Sequence, residues 1–267
     1  MVDIASSNLA FCRFEPYLGY HKIKELLLFN KDNIKLLILD SDGVSVPIGT
    51  EILETIEADY HKVVVKTNLI TDVFAEKVNK LKKKLRVCVS SGRSLIYLQG
   101  MYSKVLGGGI ILQAENGNLS LVDGRIVQHT VYDDAYFDKI YGIRREVSKL
   151  DIKGFEPKQF ILTVHADREI PEVYDIVKKY DIDGSLKVMW NGEAFDIQKK
   201  SMSKGVGVKA ITAYLDIDLD DVVTIGDKIN DKEMISVAGV GVSTNKETLE
   251  ANYYMTADAL VDYLMGV

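Results

Sequence analysis

Short apolar runs that stop abruptly on acidic or small polar residues constrain this chain more than any other feature. Ile34-Lys35-Leu36-Leu37-Ile38-Leu39 ends in Asp40-Ser41-Asp42-Gly43, and Leu85-Arg86-Val87-Cys88-Val89 ends in Ser90-Ser91-Gly92-Arg93. Gly107-Gly108-Gly109 opens a third run, Ile110–Leu112, and Val222–Ile225 stops at Gly226-Asp227. A strand without polar alternation has to be covered on both faces, as in a parallel sheet flanked by helices. Helices predicted over 72–84, from Arg93 to Tyr102, and over 204–214, 230–237 and 256–265 supply that cover. A further strand falls at 239–242. Strands alternating with helices predict an α/β fold with a parallel-sheet core.

Two stretches break the alternation. Thr50–Glu57 and His61–Leu69, joined at Ala58-Asp59-Tyr60, read as a hairpin between the first two core strands. From Asn116 a second texture begins. Asn118–Val122 and Arg125–Thr130 straddle Asp123-Gly124, a strong hairpin signal. A helix at 133–150, a strand at 159–165, a helix at 171–180 and strands at 186–190 and 194–198 follow. The expected organisation is an N-terminal extension, 1–33, with a short helix inside His21–Asn30. A core made of 34–115 and 200–267 follows, with an inserted α+β domain, 116–199.

Charge and composition remove several functions. With 33 basic and 39 acidic residues among 267, the net charge is −6 and the pI near 5.4. Such a chain is no general polyanion binder, so nucleic acid is not expected as a partner. Its apolar runs fall far short of the roughly 20 residues of a membrane span, so no membrane is expected either. The start, with Asp3 and Ser6-Ser7-Asn8, lacks the basic and apolar regions of a secretory signal. Cys12 and Cys88 form neither a metal-ligand spacing nor a disulfide framework. The expected location is the cytoplasm.

In an open α/β sheet, ligands bind at the carboxyl ends of the strands. Asp40 and Asp42, Ser91, and Asp227 with Asp231 all fall at such ends, and Lys204 opens the helix after the inserted block. An Asp at a strand end is ordinarily a turn or cap residue, but four such sites on one sheet edge call for a common cause. Carboxylates without His or Cys suit a hard, oxygen-liking cation such as Mg²⁺. An Asp can attack phosphorus, and a second carboxyl two residues on can serve the leaving oxygen as acid and water as base. Ser91, the amides of Gly43 and Gly92, and Lys204 are candidates to hold phosphoryl oxygens.

These residues resemble a known family. Asp40-Ser41-Asp42-Gly43, Ser91-Gly92-Arg93, Lys204-Gly205 and Gly226-Asp227-Lys228-Ile229-Asn230-Asp231 are similar, in order and interval, to the four motifs of the haloacid dehalogenase superfamily of phosphohydrolases. Glu115-Asn116-Gly117 and Val240–Asn245 fit its Cof-like subgroup. The resemblance spans about 34–267 and implies a Rossmann-like core with a large α/β cap inserted at 116–199. It implies Asp40 as nucleophile and Asp42 as acid and base. Ser91, Gly92, Lys204 and Asn230 would hold the phosphate. Asp40, Asp42, Asp227 and Asp231 would surround Mg²⁺, Asp42 through its backbone carbonyl. The implied substrate is a small phosphorylated metabolite, a sugar or sugar-acid phosphate. A phosphosugar mutase using the same aspartyl-phosphate, and a non-catalytic phosphate-binding protein, are the alternatives.

Two departures stand out. The family usually has Thr after the first Asp-Gly, where this chain has Val44-Ser45, and the 50–69 hairpin is enlarged where the family has a flap. That hairpin admits two uses, closing over the site or joining subunits in a homo-oligomer. Two stretches imitate other functions. Lys204-Gly205-Val206-Gly207-Val208-Lys209-Ala210 looks like a dinucleotide fingerprint, but a polar stretch separates it from the preceding strand and it falls inside a predicted helix. Lys80, Lys82, Lys83, Lys84 and Arg86 read as a helix carboxyl end whose cations complement the dipole. In the cap, Arg144, Arg145, His165, Arg168 and Trp190 are candidate leaving-group contacts, with His165 and Trp190 foremost.

Overall fold

The computed structural model describes residues 29–56 and 59–267. Most of the 1–33 extension and of the short helix read within it lies outside the described residues. The helices are α1 (Asp72–Leu81), α2 (Leu95–Met101), α3 (Asp134–Val147), α4 (Pro171–Tyr180), α5 (Lys204–Leu215), α6 (Lys232–Val237) and α7 (Ala257–Met265). Among the described residues no helix is long and apolar enough to cross a membrane.

β1 (Leu36–Asp40) is buried at every position, as its uninterrupted apolar run demands. It lies parallel to β4 (Arg86–Ser90) on one side and β12 (Val222–Gly226) on the other. Beyond β12 come β13 (Val240–Ser243) and β14 (Tyr253–Tyr254), and beyond β4 comes β5 (Ile110–Ala114), all parallel. Leu36, Ile38, Cys88 and Ile111 pack with Val208 and Ile211 of α5 and Met234 of α6. The register sets Asp40 beside Ser90 and Gly226 beside Ser243, so the polar strand ends share one edge. The expected α/β core is present.

The hairpin around Asp123-Gly124 forms, but it joins the large sheet rather than the inserted block. β6 (Leu119–Val122) pairs antiparallel with β5, Leu121 opposite Leu112, and β7 (Arg125–Gln128) closes the eight-stranded edge. Val122 packs into the core cluster that holds Ile111. The second sheet therefore starts later. Its order is β10 (Leu186–Trp190), β11 (Ala194–Lys199), β9 (Leu162–His165) and β8 (Gly154–Glu156), all antiparallel. β8 was not anticipated from the sequence. Ile140, Ile143, Val147, Val173 and Val177 of α3 and α4 cover this sheet through Phe155, Val164, Phe195 and Ile197.

β2 (Thr50–Ile56) and β3 (His61–Thr67) pair along their full length as a separate two-stranded sheet. Core and cap are tied at Glu115-Asn116-Gly117, where Glu115 and Asn116 both take left-handed backbone, φ 52° and 54°. The Glu115 carboxylate accepts the amides of Gln159, Phe160 and Ile161 at 2.8, 2.7 and 3.2 Å. Three bonds to one buried acid over-determine the turn and hold this uncommon backbone in place.

The two imitations acquire structural explanations. Gly207 lies against Gly117, where a Cβ on either would come within 2.6 Å of the other's Cα. These glycines let α5 close on the connecting turn and form no nucleotide cradle. In the basic run, Lys82 donates to the carbonyls of Val105 and Gly107, and Lys84 to that of Met265 at the end of α7.

Candidate active site

The floor of the site is a knot of opposite charges at the sheet edge. Lys204 stands in the first turn of α5, whose N-cap Ser203 accepts from Val206 N. Its Nζ donates to the carboxylates of Asp40 and Asp231, the latter at 2.6 Å, and all three residues are buried. Asp231 also accepts the amides of Asp227 and Lys228, at 3.0 and 3.3 Å, which folds the loop after β12 back on itself. Burial and the neighbouring Asp231 charge push Asp40 up to about 7 despite Lys204. Burial works against the Lys204 ammonium, yet Asp231 and Asp40 more than offset it and raise its pKa. Burial, then Asp231, raises Asp227.

Lys204 on Asp40 and Asp231, and Lys228 near Asp227, face three carboxylates and leave the floor short of positive charge. Asp40, Asp227 and Asp231 each offer an oxygen within 4.8 Å of the others'. Asp227 Oδ1 is buried and has no hydrogen-bond partner. An all-oxygen set with an orphaned acceptor fits a hard divalent cation.

The loop after β1 positions the second acid. The Ser45 hydroxyl donates to the Asp40 carbonyl at 2.6 Å and shares a 2.6 Å hydrogen bond with the Tyr102 hydroxyl. The departure at Val44 therefore leaves a structural hydroxyl one residue later. Gly43 takes φ +90°, and a Cβ there would lie 2.6 Å from Asp227 Oδ2. Its amide donates to Val46 O at 2.8 Å, so it closes the loop and is not available to a phosphate, contrary to the sequence expectation. Asp42 turns its carboxylate to Arg93, which grips it through Nε and Nη2, both at 3.1 Å. That carboxylate is thus outside the Asp40–Asp227–Asp231 cluster.

Arg93 also reaches the cap. Its Nη1 donates to Glu156 Oε2 at 3.3 Å, and the same oxygen meets His165 Nε2 at 3.1 Å and Lys158 Nζ at 3.5 Å. Lys158 donates to Thr163 Oγ1 at 2.7 Å and lies 3.5 Å from Asp196, which accepts a hydrogen bond from the Thr163 hydroxyl. Burial opposes charge on Glu156, but Lys158, His165 and Arg93 outweigh it and hold the carboxyl at about 2. Glu156 Oε1 is buried without a partner.

Asp40, Asp42, Ser91, Gly92, Lys204, Asp227 and Asn230 line one cavity of about 130 Å³, and Asp231 lies beneath them on Lys204. The opposite wall is Arg93, Glu156, Lys158, Thr163, His165 and Asp196. His165 was anticipated. Trp190 lines an adjoining apolar cleft and packs on Phe195. Arg145 and Arg168 are exposed and do not line the cavity, while Arg144 bonds to Glu54. Arg93 was quoted in a motif without a role. Glu156 and Lys158 carried no sequence signal, because the short strand that ends at Glu156 was not anticipated.

A model of the haloacid dehalogenase-like hydrolases matches residues 128–256. A phosphoglycolate phosphatase of Methanopyrus kandleri is 30% identical over 185 residues, 68% of this chain and 78% of that protein. One of Picrophilus torridus is 25% identical over 244 residues, 88% of this chain and 90% of its own length. The C-terminal domain of C. albicans trehalose-6-phosphate phosphatase superposes with a TM-score of 0.63 at 16% identity, covering 98% of this chain and all of that one. At that identity the likeness is one of fold.

Proposed function

This chain belongs to the haloacid dehalogenase-like hydrolases, and on that premise we propose that it hydrolyses a small, hydroxyl-bearing phosphate monoester through Asp40 and Asp42. The enzyme is a phosphoric monoester hydrolase. In this reading an Asp40 oxygen attacks phosphorus in line, the bond to the leaving oxygen breaks, and Asp42 gives that oxygen its proton. Asp42 then takes a proton from water, which attacks the aspartyl-phosphate and frees phosphate and Asp40. The two Arg93 bonds orient the Asp42 carboxyl for this work. Ser91, the Gly92 amide, Lys204 and Asn230 would hold the phosphoryl oxygens. Mg²⁺ would be held by Asp40, Asp227, Asp231 and the Asp42 carbonyl, and when bound it supplies neutralising charge to those oxygens.

Two features support a polyol or sugar phosphate as substrate. The buried cations of the wall, Arg93 and Lys158, are already answered by Asp42, Glu156 and Asp196. The atom lacking a partner is an acceptor, Glu156 Oε1, which calls for an O–H donor. The relatives' named substrate, phosphoglycolate, would bring a carboxylate instead, so rates on glycerol or sugar phosphates against phosphoglycolate separate the two.

The observation that carries the reading is Lys204 joining Asp40 to Asp231 beside the orphaned Asp227 oxygen. Asp40→Asn is expected to abolish release of p-nitrophenol from p-nitrophenyl phosphate, and EDTA to silence the wild type until Mg²⁺ is restored. Near-normal turnover by the variant, or chelator-resistant activity, would sink the assignment.

A further inference from the structure

The β2–β3 hairpin places one nearly buried acid against the cap. Glu54 has only 8% of its side chain exposed. Its Oε2 accepts the Phe155 amide of β8 at 2.9 Å. Its Oε1 accepts from Arg144 Nη2 of α3 at 3.0 Å and meets His61 Nε2 of its own hairpin at 2.6 Å. The Arg144 guanidinium lies over the Phe155 ring, 3.8 Å from its centroid. Gly154 sits at φ +148°, and a Cβ there would come within 2.7 Å of Glu54 Cβ. Both the backbone angle and the close approach select glycine.

This contact adjoins the reacting groups. Phe155 precedes Glu156, and Glu156 bonds to the arginine that grips Asp42. A cleft of about 310 Å³ follows the seam, between Thr50, Glu51 and Ile52 of the hairpin and Lys153, His165 and Glu193 of the cap. His165 and Glu193 also line the catalytic cavity, so the cleft adjoins it.

We propose that Glu54 is a latch between hairpin and cap. Made, it holds β8 so that Glu156 meets Arg93; broken, it opens the seam beside the leaving-group wall. Glu54 is a positioning residue and touches no reacting atom. The phosphatase reading fixes only what passes the seam.

The test follows Glu54→Ala by amide hydrogen exchange and by steady-state kinetics on glycerol 2-phosphate and p-nitrophenyl phosphate with Mg²⁺. Losing a charged acceptor is expected to speed exchange at the Phe155 amide about tenfold, leaving Leu162–His165 unchanged. The kcat/KM for glycerol 2-phosphate is expected to fall by a similar factor, and that for the bulkier aryl ester to rise. Opposite signs cannot come from general damage. Equal losses on both substrates, or wild-type exchange at Phe155, would overturn the latch. If Glu54→Ala does not fold, Arg144→Met keeps the Phe155 bond and should give smaller shifts of the same signs; no shift there counts against the proposal. A wild type inert on both esters would refute the phosphatase reading, while Phe155 exchange would still decide the latch.

Discussion

The floor and the wall of the cavity are both built from buried charge, yet they balance it differently. The floor gathers Asp40, Asp227 and Asp231, ties Asp40 and Asp231 to Lys204, and leaves Asp227 Oδ1 unpaired. The wall ties Arg93 and Lys158 to Asp42, Glu156 and Asp196, with Thr163 bridging Lys158 and Asp196 and His165 on Glu156. A floor whose three carboxylates converge within 4.8 Å calls for a metal, whereas a wall whose acids are each paired with Arg93 or Lys158 calls for a hydrogen-bond donor at Glu156 Oε1. The larger test of this contrast is Lys204→Met, which keeps the side chain's length and strands two buried carboxylates. Breaking a buried pair costs about 3–5 kcal/mol. Thermal unfolding without metal should show that loss, and Mg²⁺ should recover more stability in the variant than in the wild type. Equal gains from Mg²⁺ would mean that the floor's deficit is not a matter of charge.

The wall should reveal itself in acid. Glu156 is held at about 2, below its ordinary 4.5, so its ion pairs stabilise the fold fully above pH 4.5 and are lost as pH falls through 2. That contribution is on the order of 3 kcal/mol. Glu156→Gln cannot titrate, so its urea-unfolding stability should change less between pH 4.5 and 2 than the wild type's. An acid limb of unchanged steepness would place the titrating group elsewhere.

The contrast also explains what the sequence disclosed. Asp40, Ser91 and Asp227 were legible because an apolar run and its polar stop are neighbours in the chain, and a parallel sheet aligns such stops by register. Lys204 followed from its place at a helix start. Apart from His165 the wall was not legible, because Glu156, Lys158 and Asp196 lie in or beside short cap strands, where an inward acid has the same alternation as a solvent-facing one. Glu54 was hidden for the same reason. The Asp123-Gly124 hairpin shows the limit from another side. Its turn chemistry announces two paired strands, but that they extend the core sheet depends on Leu121 meeting Leu112, a choice made between segments rather than within one.

The smallest expected effect sharpens the contrast most. Thr163 bridges the wall by accepting from Lys158 at 2.7 Å and donating to Asp196. Thr163→Val keeps the β-branched shape that its strand favours and removes only the hydroxyl. Lys158 would lose its nearest acceptor but keep Glu156 and Asp196, each 3.5 Å away, so the loss should stay near 1–2 kcal/mol. A network with several ion pairs absorbs such a deletion, whereas Asp40 and Asp231, resting on one ammonium, do not. Unfolding by urea should therefore rank Thr163→Val well below Lys204→Met. Comparable losses would show that the wall is as brittle as the floor, and that its ion pairs act as one unit rather than as replaceable contacts.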